Sequence, residues 1–104
     1  MRLPRAVLRI LETEAGTFGW ARSQFLDALV WHKLGQGVHL ERLPDAPRRY
    51  TFSTKDWATT ERWIWYLSSE TKRRLDELRL RMGNVKPSAW VASVLTEWAG
   101  ASAH

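Results

Sequence analysis

Residues 62–75, RWIWYLSSETKRRL, change character halfway: a stretch dominated by large apolar side chains passes without a loop into a charged, helix-favouring run. In the first part Arg62, Ile64 and Tyr66 alternate with Trp63, Trp65 and Leu67, and this period of two predicts a short strand over 62–67. Ser68 stands where an N-cap belongs. Glu70 falls in the first turn, where the positive end of a helix dipole favours a carboxylate. The helix is expected from Ser69 to Met82, turning Leu75, Leu78 and Met82 inward, with Gly83-Asn84 as its stop. Pro87 suits a first helical turn, and Trp90, Val91, Val94, Leu95 and Trp98 give a second helix a wide apolar face ending near Gly100.

Upstream, Val7, Leu8, Ile10 and Leu11 recur at helical spacing over 5–14, and Gly16 is the expected end of that pattern. From Arg22 to Leu34, Phe25, Leu26, Leu29, Val30 and Leu34 mark a second helix, punctuated by Gly35 and Gly37. The period then shortens to two: Val38 and Leu40 alternate with His39 and Glu41, LPDAP supplies turn residues, and Tyr50 and Phe52 alternate with Arg49 and Thr51. Residues 38–53 therefore read as a β-hairpin. STKDWATTE reads as a short helix or loop, and the clearest seam lies between Ser53 and Glu61. The expected fold class is α+β, divided into an N-terminal unit over 1–55 and a C-terminal unit over 60–100.

At 104 residues the chain has room for one modest core, so association is expected to help close it. A hydrophobic content of 44% with 26% charged residues belongs to a folded chain rather than a disordered one. No apolar run reaches the roughly 18 residues of a membrane span, and the start lacks a leader pattern, so a soluble, unprocessed, cytoplasmic protein is expected. The absence of Cys rules out disulfides and thiolate metal sites. The net charge of +5 favours an anionic partner, and between Lys72 and Lys86 stand Lys72, Arg73, Arg74, Arg79, Arg81 and Lys86 against only Asp76 and Glu77.

Strand, capped helix, glycine turn and second helix, carried by YLSSETKRRLDELRLRMGNVKPSAWVASVLTEW, resemble the ribbon-helix-helix family of DNA-binding repressors. Leu67, Ser68, Glu70, Leu75 and Leu78 match the family's apolar, cap, acidic and leucine positions, and Gly83 falls where the family turns; the likeness covers residues 62–99. It implies a homodimer in which strands from two chains pair as an antiparallel ribbon, an element that the DNA major groove admits. On that likeness Arg62, Ile64 and Tyr66 face bases: Arg62 a guanine edge, Ile64 a thymine methyl, Tyr66 through one hydroxyl. Trp63, Trp65, Leu67, Leu75, Leu78, Trp90, Val91, Val94, Leu95 and Trp98 form the dimer core. Arg73, Arg74, Lys86 and Ser88 contact phosphates, the last two at a helix N-terminus.

The expected function is a dimeric double-stranded DNA-binding protein, either a transcriptional repressor or an accessory factor of plasmid or mobile-element DNA processing. A second expectation, from another class, is an antitoxin or adaptor whose seven Trp serve a protein partner, with the N-terminal half as a possible docking surface. That half also resembles a truncated winged helix, its hairpin carrying Arg48 and Arg49. Nothing points to catalysis, a cofactor or a metal: His32 and His39 are isolated, His104 is terminal, Ser68-Ser69-Glu70 has no flanking glycines, and the glycines form neither a dinucleotide nor a phosphate loop.

Overall fold

The computed structural model describes residues 1–35 and 50–100 and the backbone of 102–103. Its first element is a strand that periodicity did not announce, β1 (Arg2–Pro4), from which α1 (Arg5–Phe18) departs directly. Pro4, at φ −53°, occupies the N-cap and presets the turn into the helix. No side chain caps α1; instead the Arg5 N–H donates to the Thr59 carbonyl at 2.8 Å, tying the start of the helix to residues far along the chain. The helix runs through Gly16, where the sequence predicted its end, and stops at Gly19, whose φ of 69° lets Trp20 N–H reach back to the Ala15 carbonyl at 3.0 Å. Termination needs a residue tolerant of left-handed backbone where that return bond closes, and Gly16 sits a turn too early.

Helix α2 (Arg22–Lys33) follows as expected, burying Phe25, Leu26, Leu29 and Val30. The hairpin predicted over 38–53 lies, up to Arg49, outside the described residues, as does the wing with Arg48 and Arg49. Its last part is β2 (Thr51–Phe52), which pairs in parallel with β4 (Ser102–Ala103). STKDWATTE supplies α3 (Thr54–Ala58), capped by Ser53 Oγ accepting from Asp56 N–H, and then β3 (Thr60–Arg62).

The strand expected over 62–67 is thus placed earlier, and its partner lies within the same chain: β3 runs antiparallel to β1, with Arg2 opposite Arg62, Leu3 opposite Glu61 and Pro4 opposite Thr60. The ladder gains one further rung, where Trp63 N–H donates to the Met1 carbonyl at 2.8 Å and Met1 N donates to the Trp63 carbonyl at 2.9 Å. Residues 64–67 continue beyond it without strand pairing among the described residues.

Helix α4 (Ser69–Arg81) begins on Ser68, whose Oγ accepts from Thr71 N–H, and ends through Gly83 and Asn84, both at positive φ. Met82, expected to be buried at the end of that helix, lies beyond it and is 46% exposed. Arg79 fixes the following turn: its Nε donates to the Val85 carbonyl at 2.6 Å while Nη1 meets Asp76 at 2.7 Å. Helix α5 (Pro87–Ala99) starts with Pro87 and ends at Gly100, φ 61°.

One apolar cluster joins both halves of the chain. It contains Leu3 from β1, Val7, Ile10 and Leu11 from α1, Phe25, Leu26, Leu29 and Val30 from α2, Trp65, Leu75 and Leu78 around α4, and Trp90, Val91, Val94 and Leu95 from α5. Helix α1 packs on α5 and α2 packs on α4, so the N-terminal helices cover the apolar stripes of the C-terminal pair. Among the described residues no helix is long and apolar enough to cross a membrane.

Candidate nucleic-acid interface

The alternation read from RWIWYL survives the shortening of the strand. Trp65 is 7% exposed and Trp63 and Leu67 are half-buried, whereas Arg62 is exposed, Ile64 is 58% exposed and Tyr66 is 77% exposed. Extended backbone sends successive side chains to opposite sides, so anchoring one set fixes the other in solvent. The anchors are specific. Trp65 stacks on Trp90 with centroids 6.4 Å apart and an interplanar angle of 15°, and its Nε1–H donates to Asp27 Oδ1 on α2 at 2.9 Å. The Tyr66 N–H donates to Ser23 Oγ at 3.1 Å, so α2 holds residues 65 and 66 by a side chain and by backbone. Partial burial pushes the Asp27 carboxyl above the usual range, with the indole hydrogen bond pulling the other way.

Because Met1 and Trp63 exchange both backbone hydrogen bonds, the N–H and C=O groups of Arg62 point to the opposite edge of β3. That edge has no strand partner among the described residues.

The charged groups of α4 are arranged differently from their count. Arg73 is bonded to Glu70, which holds the Glu70 carboxyl below its usual range. Arg74 reaches Glu77 at 3.2 Å and Glu70 at 3.5 Å, and its guanidinium lies 5.7 Å from the centre of the Trp31 ring, a cation–π contact joining α4 to α2. Arg79 is occupied by Asp76 and the Val85 carbonyl. Lys72, Arg81 and Lys86 are exposed and make no ion pair among the described residues.

Lys86 occupies the N-cap of α5 without a side-chain capping bond, and Ser88 is half-buried in the first turn. The first helical bond of α5 runs from Trp90 N–H to the Lys86 carbonyl, so the N–H groups of Ser88 and Ala89 have no partner within the helix. Between this end and the extended segment lies a groove of about 270 Å³ lined by Ile64, Trp65, Leu67, Lys72, Leu75 and Pro87, among others. The groove is somewhat small for the roughly 300–1,000 Å³ of small-molecule sites.

Ile64, Lys72 and Pro87 at the start of α5 line one groove, Arg62 and Tyr66 are exposed on the same side of the extended segment as Ile64, and Arg73 and Arg74 are engaged by glutamates. The residues assigned from sequence to a dimer core, Trp65, Leu75, Leu78, Trp90, Val91, Val94 and Leu95, are buried within one chain, and Trp63, Leu67 and Trp98 pack against the same cluster. Trp98 meets Phe25 and His32 edge-on, at centroid distances of 6.3 and 5.7 Å. Sequence reading missed β1, Ser23 and Asp27. Pro4 was a usable signal for β1, since the residue before a proline is driven towards extended backbone; nothing local marks Asp27 as the partner of an indole.

Comparison with protein-family models, with curated proteins and with solved structures finds no match to this chain. Among the described residues no group of three or more His, Cys, Asp or Glu is placed to hold a metal ion.

Proposed function

We propose that this chain is a double-stranded DNA-binding protein, acting as a transcriptional repressor or as an accessory factor of plasmid or mobile-element DNA processing. The observation that carries this reading is the solvent-facing row of Arg62, Ile64 and Tyr66, kept outward because Trp63, Trp65 and Leu67 are anchored in the core. A two-stranded antiparallel element fits the major groove, and an arginine there can pair with a guanine edge in bidentate fashion. Beside it, Lys72, Lys86 and the open N–H groups at the start of α5 supply contacts of the kind that phosphates take. Arg73 and Arg74 reach a phosphate by exchanging a glutamate for it.

In this reading two chains associate through the unpaired edge of β3, where Arg62 offers a backbone donor and acceptor. Antiparallel pairing of that edge with a second copy is self-complementary and would produce a closed dimer with the order β1-β3-β3-β1, in which each copy's own two-stranded ribbon is the element offered to a groove. The test is titration of labelled duplexes, one from the DNA upstream of the coding sequence and one random, across a salt series. Binding should weaken steeply with salt and favour the upstream duplex. Absence of binding at low salt would remove the reading.

The apolar groove favours a second reading, a protein-interaction module that takes a partner's side chains between Ile64, Leu67 and Pro87. Salt separates the two, because an apolar contact has no steep dependence on it.

A further inference from the structure

The register of β1 against β3 places Arg2 directly opposite Arg62. The neighbouring rung, Met1 with Trp63, is a hydrogen-bonded pair, so Arg2 and Arg62 form a non-hydrogen-bonded pair, the kind in which facing side chains come closest. Both are exposed on the same side of the ribbon. Like charges at such a position destabilise a two-stranded ribbon. Local acids do not offset this: Glu61, the carboxylate of β3, is held by Arg5 at 3.0 Å. Arg2 donates through Nε to Thr60 Oγ1 at 3.2 Å and through Nη2 to the Thr60 carbonyl at 3.5 Å, which lays its guanidinium along the ribbon, and Arg62 makes no ion pair or side-chain hydrogen bond among the described residues. Arg2 and Arg62 thus put two cations on one exposed face of the ribbon, Arg62 with its donors free and Arg2 with Nη1 left over from Thr60, an arrangement suited to an anion with several acceptor oxygens.

We infer that Arg2 and Arg62 act as one two-arginine DNA contact, completed within a single chain by the pairing of β1 with β3. The inference rests on the DNA-binding reading and adds to it a residue 60 positions away in sequence. The reading element is then built before any second copy arrives: β1 supplies one arginine, β3 the other, and the anchored residues Trp63 and Trp65 keep the ribbon in place. The acceptor is a backbone phosphate or the O6 and N7 edge of a guanine, both of which match the planar fork of arginine.

The test uses the full chain with nothing fused before Met1, and measures duplex binding over a salt series for wild type, Arg2→Ala, Arg2→Gln, Arg2→Lys and Arg62→Ala. Arg2→Ala and Arg2→Gln should each weaken binding several-fold and flatten the salt slope by about one unit, as Arg62→Ala should. Arg2→Gln is shorter but keeps a donor near the position of Nε for Thr60, so a loss of binding shared by both variants, with melting no lower than wild type, reports the charge rather than the fold. If Arg2→Lys keeps affinity and slope, the acceptor is a phosphate; if it keeps slope but loses preference for the upstream duplex, the acceptor is a guanine. Either result supports the pair. In the free protein, Arg62→Thr should raise the thermal midpoint by roughly 1–4 °C through relief of cross-strand repulsion. Wild-type binding that Arg2→Ala and Arg2→Gln leave untouched would overturn this inference alone. A fall in midpoint for Arg62→Thr would equally overturn the opposed pair, and failure of the wild type to bind any duplex would overturn the DNA reading with it.

Discussion

The ribbon with its extension to Leu67 and helix α4 are both rich in charge or exposed apolar surface, yet they deploy them in opposite ways. On α4 three of the five cations are spent internally, Arg73 on Glu70, Arg74 on Glu77 and the Trp31 ring, and Arg79 on Asp76 and a turn carbonyl, which leaves Lys72 and Arg81. On the ribbon Arg62 is unspent, and Ile64 and Tyr66 stand in water beside it. A helix offers i,i+3 and i,i+4 partners at every turn, whereas Arg62, at the end of a three-residue strand, has another arginine as the residue opposite. Local charge density in a sequence therefore overstates what α4 presents to a partner and understates what the ribbon does.

The largest effect expected from breaking this contrast lies on the inward side of the ribbon segment. Trp65→Ala removes a ring stacked on Trp90 and leaves Asp27 without its donor, and should cost about 3–5 kcal/mol in denaturant unfolding. Tyr66→Ala, one residue away and exposed, should change stability by less than about 0.5 kcal/mol. Equal losses at the two positions would mean that the segment is not one-sided. Next in size is Arg79→Ala, expected to cost about 1–2 kcal/mol by freeing the Val85 carbonyl and Asp76.

Smaller effects come from the two carboxylates with shifted affinities. The Asp27 pKa is raised in the folded chain, so its ionisation lowers stability as pH rises through the acid range, and the full cost is present above the folded pKa. Asp27→Asn keeps an acceptor for the Trp65 indole and should modestly raise the unfolding midpoint at neutral pH while flattening that acid-range dependence. Glu70 has the opposite sign: its pKa is lowered, first by the Arg73 hydrogen bond, so its contribution is present above the unfolded value and is lost as pH falls through the folded one. Being exposed, it should move the melting profile least of all, and Glu70→Gln should be nearly silent at high salt.

Much of the C-terminal half was legible because its signals are local. Ser68 and Glu70 mark the start of α4, Pro87 and Gly100 bracket α5, and the alternation from Arg62 to Leu67 identifies which side chains turn inward. What escaped depends on contacts between distant residues. Pairing with residues 1–4 decides where β3 begins and ends, and β1 is too short and too close to a proline to show a period. Met82 continues the spacing of Leu75 and Leu78, but the chain leaves the helical path before reaching it. Helices α1 and α2 turned out to cover the apolar stripes that the family likeness assigned to a second chain, a role no motif in 1–35 advertises.

DNA is proposed to meet the ribbon face, with Lys72 at its flank, rather than the glutamate-paired arginines of α4, and comparing Arg62→Ala with Arg73→Ala in duplex titrations across salt tests this most directly. The account predicts that Arg62→Ala lowers affinity several-fold, flattens the salt slope by about one unit and weakens preference for the upstream duplex, while Arg73→Ala, whose cation is already matched by Glu70, does markedly less. A larger loss with Arg73→Ala than with Arg62→Ala would contradict it.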